Sequence, residues 1–127
     1  MKRAAVAFAL ILLAGCQSAV PEMSERKAST LPSVPTLSGS TLQAFIVGNS
    51  LRYSHYGAVS SFFSDGRYGY RDYEVRDGGT YTISGDMVCI NFDDGGRRCD
   101  RYAKVGDDYV RIEEGGRQTK IEGTGPA

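Results

Sequence analysis

From residue 51 onward, short apolar runs alternate with compact polar clusters at intervals of about ten residues, the spacing of short strands in a small all-β domain. The clusters are SDG (Ser64–Gly66), RDGG (Arg76–Gly79), SGD (Ser84–Asp86), DDGG (Asp93–Gly96), GDD (Gly106–Asp108) and EGG (Glu114–Gly116). Asp and Gly favour tight turns, whereas the Tyr, Val, Ile, Phe and Thr between them suit a pleated, half-buried surface. The pattern predicts strands near 51–56, 58–63, 67–75, 80–83, 87–92, 97–105 and 109–113, with a weaker one near 117–122. Strands joined by tight turns are antiparallel neighbours, since parallel pairing needs a long crossover. The expected fold class is therefore mainly β: an antiparallel meander over residues 37–122 that curls into a small sheet or barrel, with 123–127 as a disordered tail.

The pattern changes upstream. In "SGSTLQAFIVGNSL", Leu42, Phe45 and Ile46 recur at helical spacing, and Gly48 stands where a helix-ending glycine belongs. Ser40 and Gln43 have the spacing of a capping box. A helix of two turns is not stable alone, so this one is expected to plug one end of the sheet. Between Gln17 and Thr36, three of the chain's four prolines lie among Ser, Ala and Thr without a period. Residues 16–36 thus read as a flexible tether that reaches about 60 Å at full extension. Ser24 and Lys27 form an S-x-x-K, but its companion motifs are missing and the match is fortuitous.

The first residues carry a second kind of signal. Lys2 and Arg3 precede the uncharged apolar run Ala4–Leu13, which as a helix would span about 15 Å, half of a bilayer's hydrocarbon core. That is the layout of a signal peptide rather than a transmembrane anchor. It ends in Leu13-Ala14-Gly15-Cys16, which resembles the lipobox of bacterial lipoproteins. The resemblance implies removal of residues 1–15 and acylation of the Cys16 thiol and its new amine. Gln17 after the cysteine implies sorting to the outer membrane, with the domain in the cell envelope facing the periplasm. Multiple acyl chains hold a protein where one would not. The intact chain has 15 basic and 15 acidic residues, and cleavage would leave 13 against 15. So balanced a charge argues against nucleic acid as a partner and leaves membrane attachment to the lipid.

Three cysteines in an exported chain leave one over. Cys89 and Cys99 flank the DDGG turn. If Asp93-Asp94-Gly95 is a three-residue loop with Gly95 left-handed, Phe92 faces Gly96, Asn91 faces Arg97, Ile90 faces Arg98 and Cys89 faces Cys99. The two thiols are then close enough for a disulfide, which an oxidising compartment permits. Zinc would need four ligands, and His55 is the sole histidine. The acidic turns lack a calcium-loop pattern, so no metal and no cofactor are expected. His55 has no cysteine nucleophile and no G-x-S-x-G serine to serve, which argues against an enzyme.

The remaining candidate is "RYGYRDYEVR". Strand alternation places Tyr68 and Tyr70 on one face and Arg67, Arg71 and Tyr73 on the other. Arginine and tyrosine dominate binding hot spots, so Arg67, Arg71 and Tyr73 form a candidate binding surface for an envelope protein or glycan. Cross-strand pairing within the sheet accounts for the same residues and is the simpler explanation.

The succession "LSGSTLQAFIVGNSL", "FFSDGRYGY" and "GGTYTISGDMVCINFDDGGRRCDRY" is similar to a family of small bacterial envelope proteins, a domain family of unknown function. The similarity covers about residues 37–105 and implies export and a β fold but no activity; Tyr81 replaces the family's usual Trp. A fainter likeness is to barrel-shaped periplasmic inhibitors of proteases or lysozyme. The expectation is a membrane-anchored envelope lipoprotein serving as a non-catalytic binding or interaction module, with hydrolase inhibition as the alternative.

Overall fold

A computed structural model describes residues 34–127. Eight strands form a closed, up-and-down antiparallel barrel in chain order. They are β1 Asn49–Tyr53, β2 Val59–Phe62, β3 Arg67–Arg71, β4 Arg76–Ser84, β5 Met87–Phe92, β6 Arg97–Val105, β7 Asp108–Glu113 and β8 Gln118–Pro126. Closure comes from β8 pairing with β1, from Asn49 opposite Pro126 to Tyr53 opposite Ile121, and it leaves no free sheet edge. The mainly-β meander read from the turns is thus a barrel. The segment expected as a tail belongs to it: 123–126 complete β8, because Gly123, Thr124 and Gly125 pair with Arg52, Leu51 and Ser50. Small residues with no apolar signal of their own are ordered here by ladder hydrogen bonds, which hydropathy does not report.

The turn expected at Arg76–Gly79 lies earlier in the chain. β3 ends at Arg71, and the Asp72 carboxylate accepts from the backbone N–H groups of Glu74 and Val75, at 2.7 and 2.8 Å, closing the bend there. Arg76–Gly79 is instead the start of β4. Its glycines serve close packing rather than a turn: a Cβ on Gly79 would collide with the Asn91 carbonyl oxygen of the neighbouring strand. The 67–75 strand is shorter than expected for the same reason, and Tyr73 lies in the bend. Likewise β1 stops at Tyr53, and His55–Gly57 make a single 3-10 turn.

Helix α1 spans Gly39–Ile46. Ser38, not Ser40, stands at its N-cap, without a side-chain cap, so the capping box does not form. The C-terminal end follows the sequence: Gly48 takes φ +80°, and the Asn49 amide donates to the carbonyls of Ala44 and Phe45, at 3.1 Å each. Leu42 and Ile46 are fully buried within the barrel core with Leu51, Phe62 and Val88, and Phe45 stacks on Tyr109 at 4.6 Å. Burial of each such aliphatic side chain stabilises by about 1.5–3 kcal/mol, which tertiary packing supplies and helix propensity cannot. The end of the expected tether is docked as well. Thr36 bridges Ala103 of β6 and donates to Asp86 at 2.9 Å, and the Leu37 N–H donates to the Tyr102 carbonyl.

Candidate functional site

An up-and-down barrel puts alternate hairpin turns at the same end. The first residue of α1 meets the β4–β5 turn, where the Gly39 N–H donates to the Gly85 carbonyl, so the helix occupies that end. The turns β1–β2, β3–β4, β5–β6 and β7–β8 ring the other end, and a cavity of about 550 Å³ opens there. Each of these turns or its flanking strands contributes to the wall: His55 and Ala58, Tyr70 and Asp77, Phe92 and Arg98, and residues 117–120.

A buried polar group inside the barrel follows from the register of β6. Cys99 points outward to meet Cys89 directly opposite, Cα to Cα 4.0 Å, in a disulfide. Period-two alternation then turns Arg98, Asp100 and Tyr102 into the barrel. The Asp100 side chain is fully buried, and its Oδ2 accepts from Arg98 Nε at 2.8 Å. Burial raises the Asp100 pKa, with Arg98 pulling the other way. Arg98 is raised in turn: its partial burial opposes the charge, but the Asp100 carboxylate outweighs this.

Arg111 on β7 faces the same interior. Its guanidinium lies over the Tyr53 ring at 4.9 Å, while Nη2 donates to Glu113 at 3.0 Å. Burial raises the pKa of Tyr53, against the pull of Arg111, and raises that of Tyr102 still further, so both phenols are neutral at physiological pH. Four buried atoms of this group have no hydrogen-bond partner among the described residues: the Tyr53 and Tyr102 hydroxyls, Asp100 Oδ1 and Arg111 Nε. A buried polar atom left unpaired costs about 1–3 kcal/mol, which makes this the most polar and least satisfied part of the interior. Ser60 and Tyr68, by contrast, satisfy each other at 2.9 Å in the same interior.

The rim joins two turns. The Tyr73 N–H donates to the Tyr56 carbonyl at 3.3 Å, and the Tyr73 ring closes over Gly57. Tyr56 holds a left-handed φ of +51°, unusual for an aromatic residue, and both tyrosines are exposed, Tyr73 at 82%. Below them the Tyr70 hydroxyl donates to Asp72 at 2.8 Å; burial together with that carboxylate pushes its pKa up to about 12.

Of the residues singled out from the sequence, Cys89 and Cys99 are bonded in the expected register. Cys16 lies outside the described residues. Arg67 and Arg71 are both exposed on one face of β3, and Tyr73 is exposed in the bend beyond its end. Arg67 is exposed, paired with Asp65 at 2.7 Å and placed over the Phe63 ring at 4.8 Å. Arg71 lies exposed on β3 directly opposite Arg76, whereas Tyr73 belongs to the rim. Tyr68, expected to share a face with Tyr70, does so, pointing inward and buried. Tyr53, Asp100, Tyr102 and Arg111 were not singled out, although the disulfide register implies that Arg98, Asp100 and Tyr102 share the face opposite Cys99. His55 stands at the cavity mouth, its ring edge-on to Tyr56 at 4.1 Å. Compared with family models, with curated proteins and with solved structures, the chain finds no match, so the barrel's own chemistry carries the functional argument.

Proposed function

We propose that the chain is a membrane-anchored envelope lipoprotein whose barrel is a non-catalytic binding module, with the open end as its ligand site. The observation that carries this reading is the pair Tyr53 and Arg111: both line the cavity, and both hold a buried polar atom without a partner. A closed barrel offers no edge for strand addition, so recognition falls to its ends and outer face. Open-ended barrels with a filled opposite end suit a single small ligand. The buried Ser60 hydroxyl is bound to a phenol rather than to a base, which favours binding over nucleophilic chemistry. Anchoring at Cys16, and the outer-membrane placement that goes with it, rest on the lipobox sequence alone.

One observation favours a second reading. Tyr56 and Tyr73 project from the rim, and an exposed aromatic pair on linked turns is what a hydrolase inhibitor would offer to a cleft. Capture of envelope extracts on the immobilised full chain separates the two, with bound small molecules and proteins both identified by mass spectrometry. Loss of a retained small molecule in Arg117→Glu, with Tyr73→Ala unaffected, supports the ligand module. Loss of a retained hydrolase in Tyr73→Ala supports the inhibitor. No difference between wild type and Arg117→Glu removes the open end from consideration.

A further inference from the structure

We propose that the open end of the barrel binds a small zwitterion with an apolar body, such as a free amino acid, its ammonium held by Asp77 and its carboxylate by Arg117. The proposal rests on the ligand-module reading above and adds the chemical class.

The balance of charge around the cavity selects that class. Four cations and one carboxylate line it, but three of the cations are answered by carboxylates outside the lining. Asp100 holds Arg98 at 2.8 Å, Glu113 holds Arg111 at 3.0 Å, and Asp108 lies 3.8 Å from Lys120. Asp77 and Arg117 are left, one of each sign, and neither has an ion-pair partner among the described residues. With no net surplus the cavity steers neither anions nor cations. A ligand that carries both signs gains from both residues at once.

The fold keeps the two charges on facing walls. The strands run round the barrel in chain order, so β4 and β8 stand diametrically opposite each other. Asp77 is the second residue of β4, and Arg117 immediately precedes β8. Period-two alternation gives Asp77 the direction of buried Tyr81 and Arg117 that of buried Ile121. Both side chains therefore turn inward at the mouth, and both line the cavity. From opposite walls they do not pair with each other, and the space between them is open to a ligand. The interior of an eight-stranded barrel has room for one small molecule.

The rest of the lining supplies the apolar contact. Phe92 and Tyr70 are half-buried and border the same cavity, with Ala58 beside them. An aromatic or branched aliphatic side chain placed against these residues removes its own surface from water, which favours binding.

Titration of the full chain, followed by NMR, tests this with four probes that share one body. Phenylalanine carries both charges, N-acetylphenylalanine only the carboxylate, phenylalanine amide only the ammonium, and N-acetylphenylalanine amide neither. Phenylalanine is expected to bind saturably with a Kd on the order of 1 mM, shifting the backbone amides around Asp77 and Arg117. Each singly charged probe should bind about threefold more weakly, because charge contacts at an open mouth are modest, and the uncharged one about tenfold more weakly. Asp77→Asn should weaken phenylalanine and phenylalanine amide about threefold, and leave N-acetylphenylalanine unchanged or slightly tighter. Arg117→Gln should weaken phenylalanine and N-acetylphenylalanine about threefold, and leave phenylalanine amide unchanged or slightly tighter. Both positions are exposed, so both variants should fold. A singly charged probe that binds as tightly as phenylalanine overturns the zwitterion assignment. So does a variant that affects all four probes alike, or the absence of phenylalanine binding. If phenylalanine fails while Arg117→Glu still loses a small molecule from envelope extracts, the open end stands as the site and only the ligand class is wrong. If both fail, the ligand-module reading falls with it.

Discussion

Arg98 and Asp100 lie two residues apart on the inner face of one strand, joined at 2.8 Å, with the carboxylate fully buried and the arginine about one-third exposed. The pair works as a unit. Removing Arg98 alone, as in Arg98→Met, leaves Asp100 ionised or forced to protonate without its main partner, and should cost about 3–5 kcal/mol. Replacing both, Arg98→Met with Asp100→Leu, removes the buried charge together with its partner and should recover most of that loss. Urea denaturation of the two chains against wild type measures the difference; a double variant no more stable than the single one would show that the pair contributes packing rather than charge.

The Cys89–Cys99 bridge closes a loop of ten residues' separation across a hairpin that the barrel already holds. By loop-closure entropy its loss should cost about 2–3 kcal/mol. Cys89→Ser with Cys99→Ser should therefore lower the urea midpoint while retaining the far-ultraviolet signature of the barrel. Alkylation and mass spectrometry of the wild-type chain, without reductant, should find both cysteines blocked. Free thiols at both positions in folded protein would contradict the bond.

The hairpin around this bridge was legible in the sequence because every determinant was local: two cysteines, a DDGG turn and a strict two-residue period. Gly95 takes the left-handed conformation that the register required, with φ +102°, and each expected cross-strand pair from Asn91 to Cys89 is present. Closure was less legible, since β8 pairs with β1 across more than sixty positions and its terminal half, Gly123 to Pro126, has no apolar signal. The Arg76–Gly79 misreading has a physical cause too. Glycines mark turns and close strand approaches alike, and here the neighbouring backbone needs the space. The buried polar group was hidden because charged residues on a strand look solvent-facing. Only the outward direction of Cys99 reveals that Asp100 is inside.

Anchoring is tested at Cys16. Cys16→Ser removes the only thiol in the lipobox, so incorporation of a palmitate analogue should fall to background and the precursor should accumulate. Equal labelling of the two chains would mean that the lipid, if any, is attached elsewhere.

Asp86 fastens the segment that leads into the barrel. It accepts from Thr36 and from Arg101 Nε, each at 2.9 Å, and these contacts, Thr36 foremost, lower its pKa. A carboxyl whose folded-state pKa is depressed binds fewer protons folded than unfolded. Its contribution is therefore complete above the ordinary carboxylate value near 3.8 and is lost as pH falls through the lower folded value. Asp86→Asn should lower stability at neutral pH by about 0.5–1 kcal/mol, modest because the site is largely solvated. The gap between the two melting temperatures should narrow as pH drops below that ordinary value. A gap that stays constant with pH would trace the effect to shape rather than charge.

Arg71 faces Arg76 directly across the β3–β4 ladder, and neither has an ion-pair partner among the described residues. Like charges in directly opposed positions repel, by a few tenths of a kcal/mol on an exposed face. Arg67 differs, for it holds Asp65 and covers Phe63. The two arginines should thus respond oppositely to truncation. Arg71→Ala removes repulsion and should leave the melting temperature unchanged or slightly raised. Arg67→Ala exposes Phe63 and frees Asp65, whose lowered pKa depends first on its hydrogen bond to Arg67, and should lower the melting temperature slightly. The opposition is clearest at low salt and should shrink as ionic strength shortens the screening length to about 8 Å. If Arg71→Ala is destabilising at every salt concentration, the side chain's aliphatic stem matters more than its charge. If Arg71→Ala instead leaves stability intact but abolishes capture of an envelope protein, the outer face of β3 regains the binding role that its sequence first suggested.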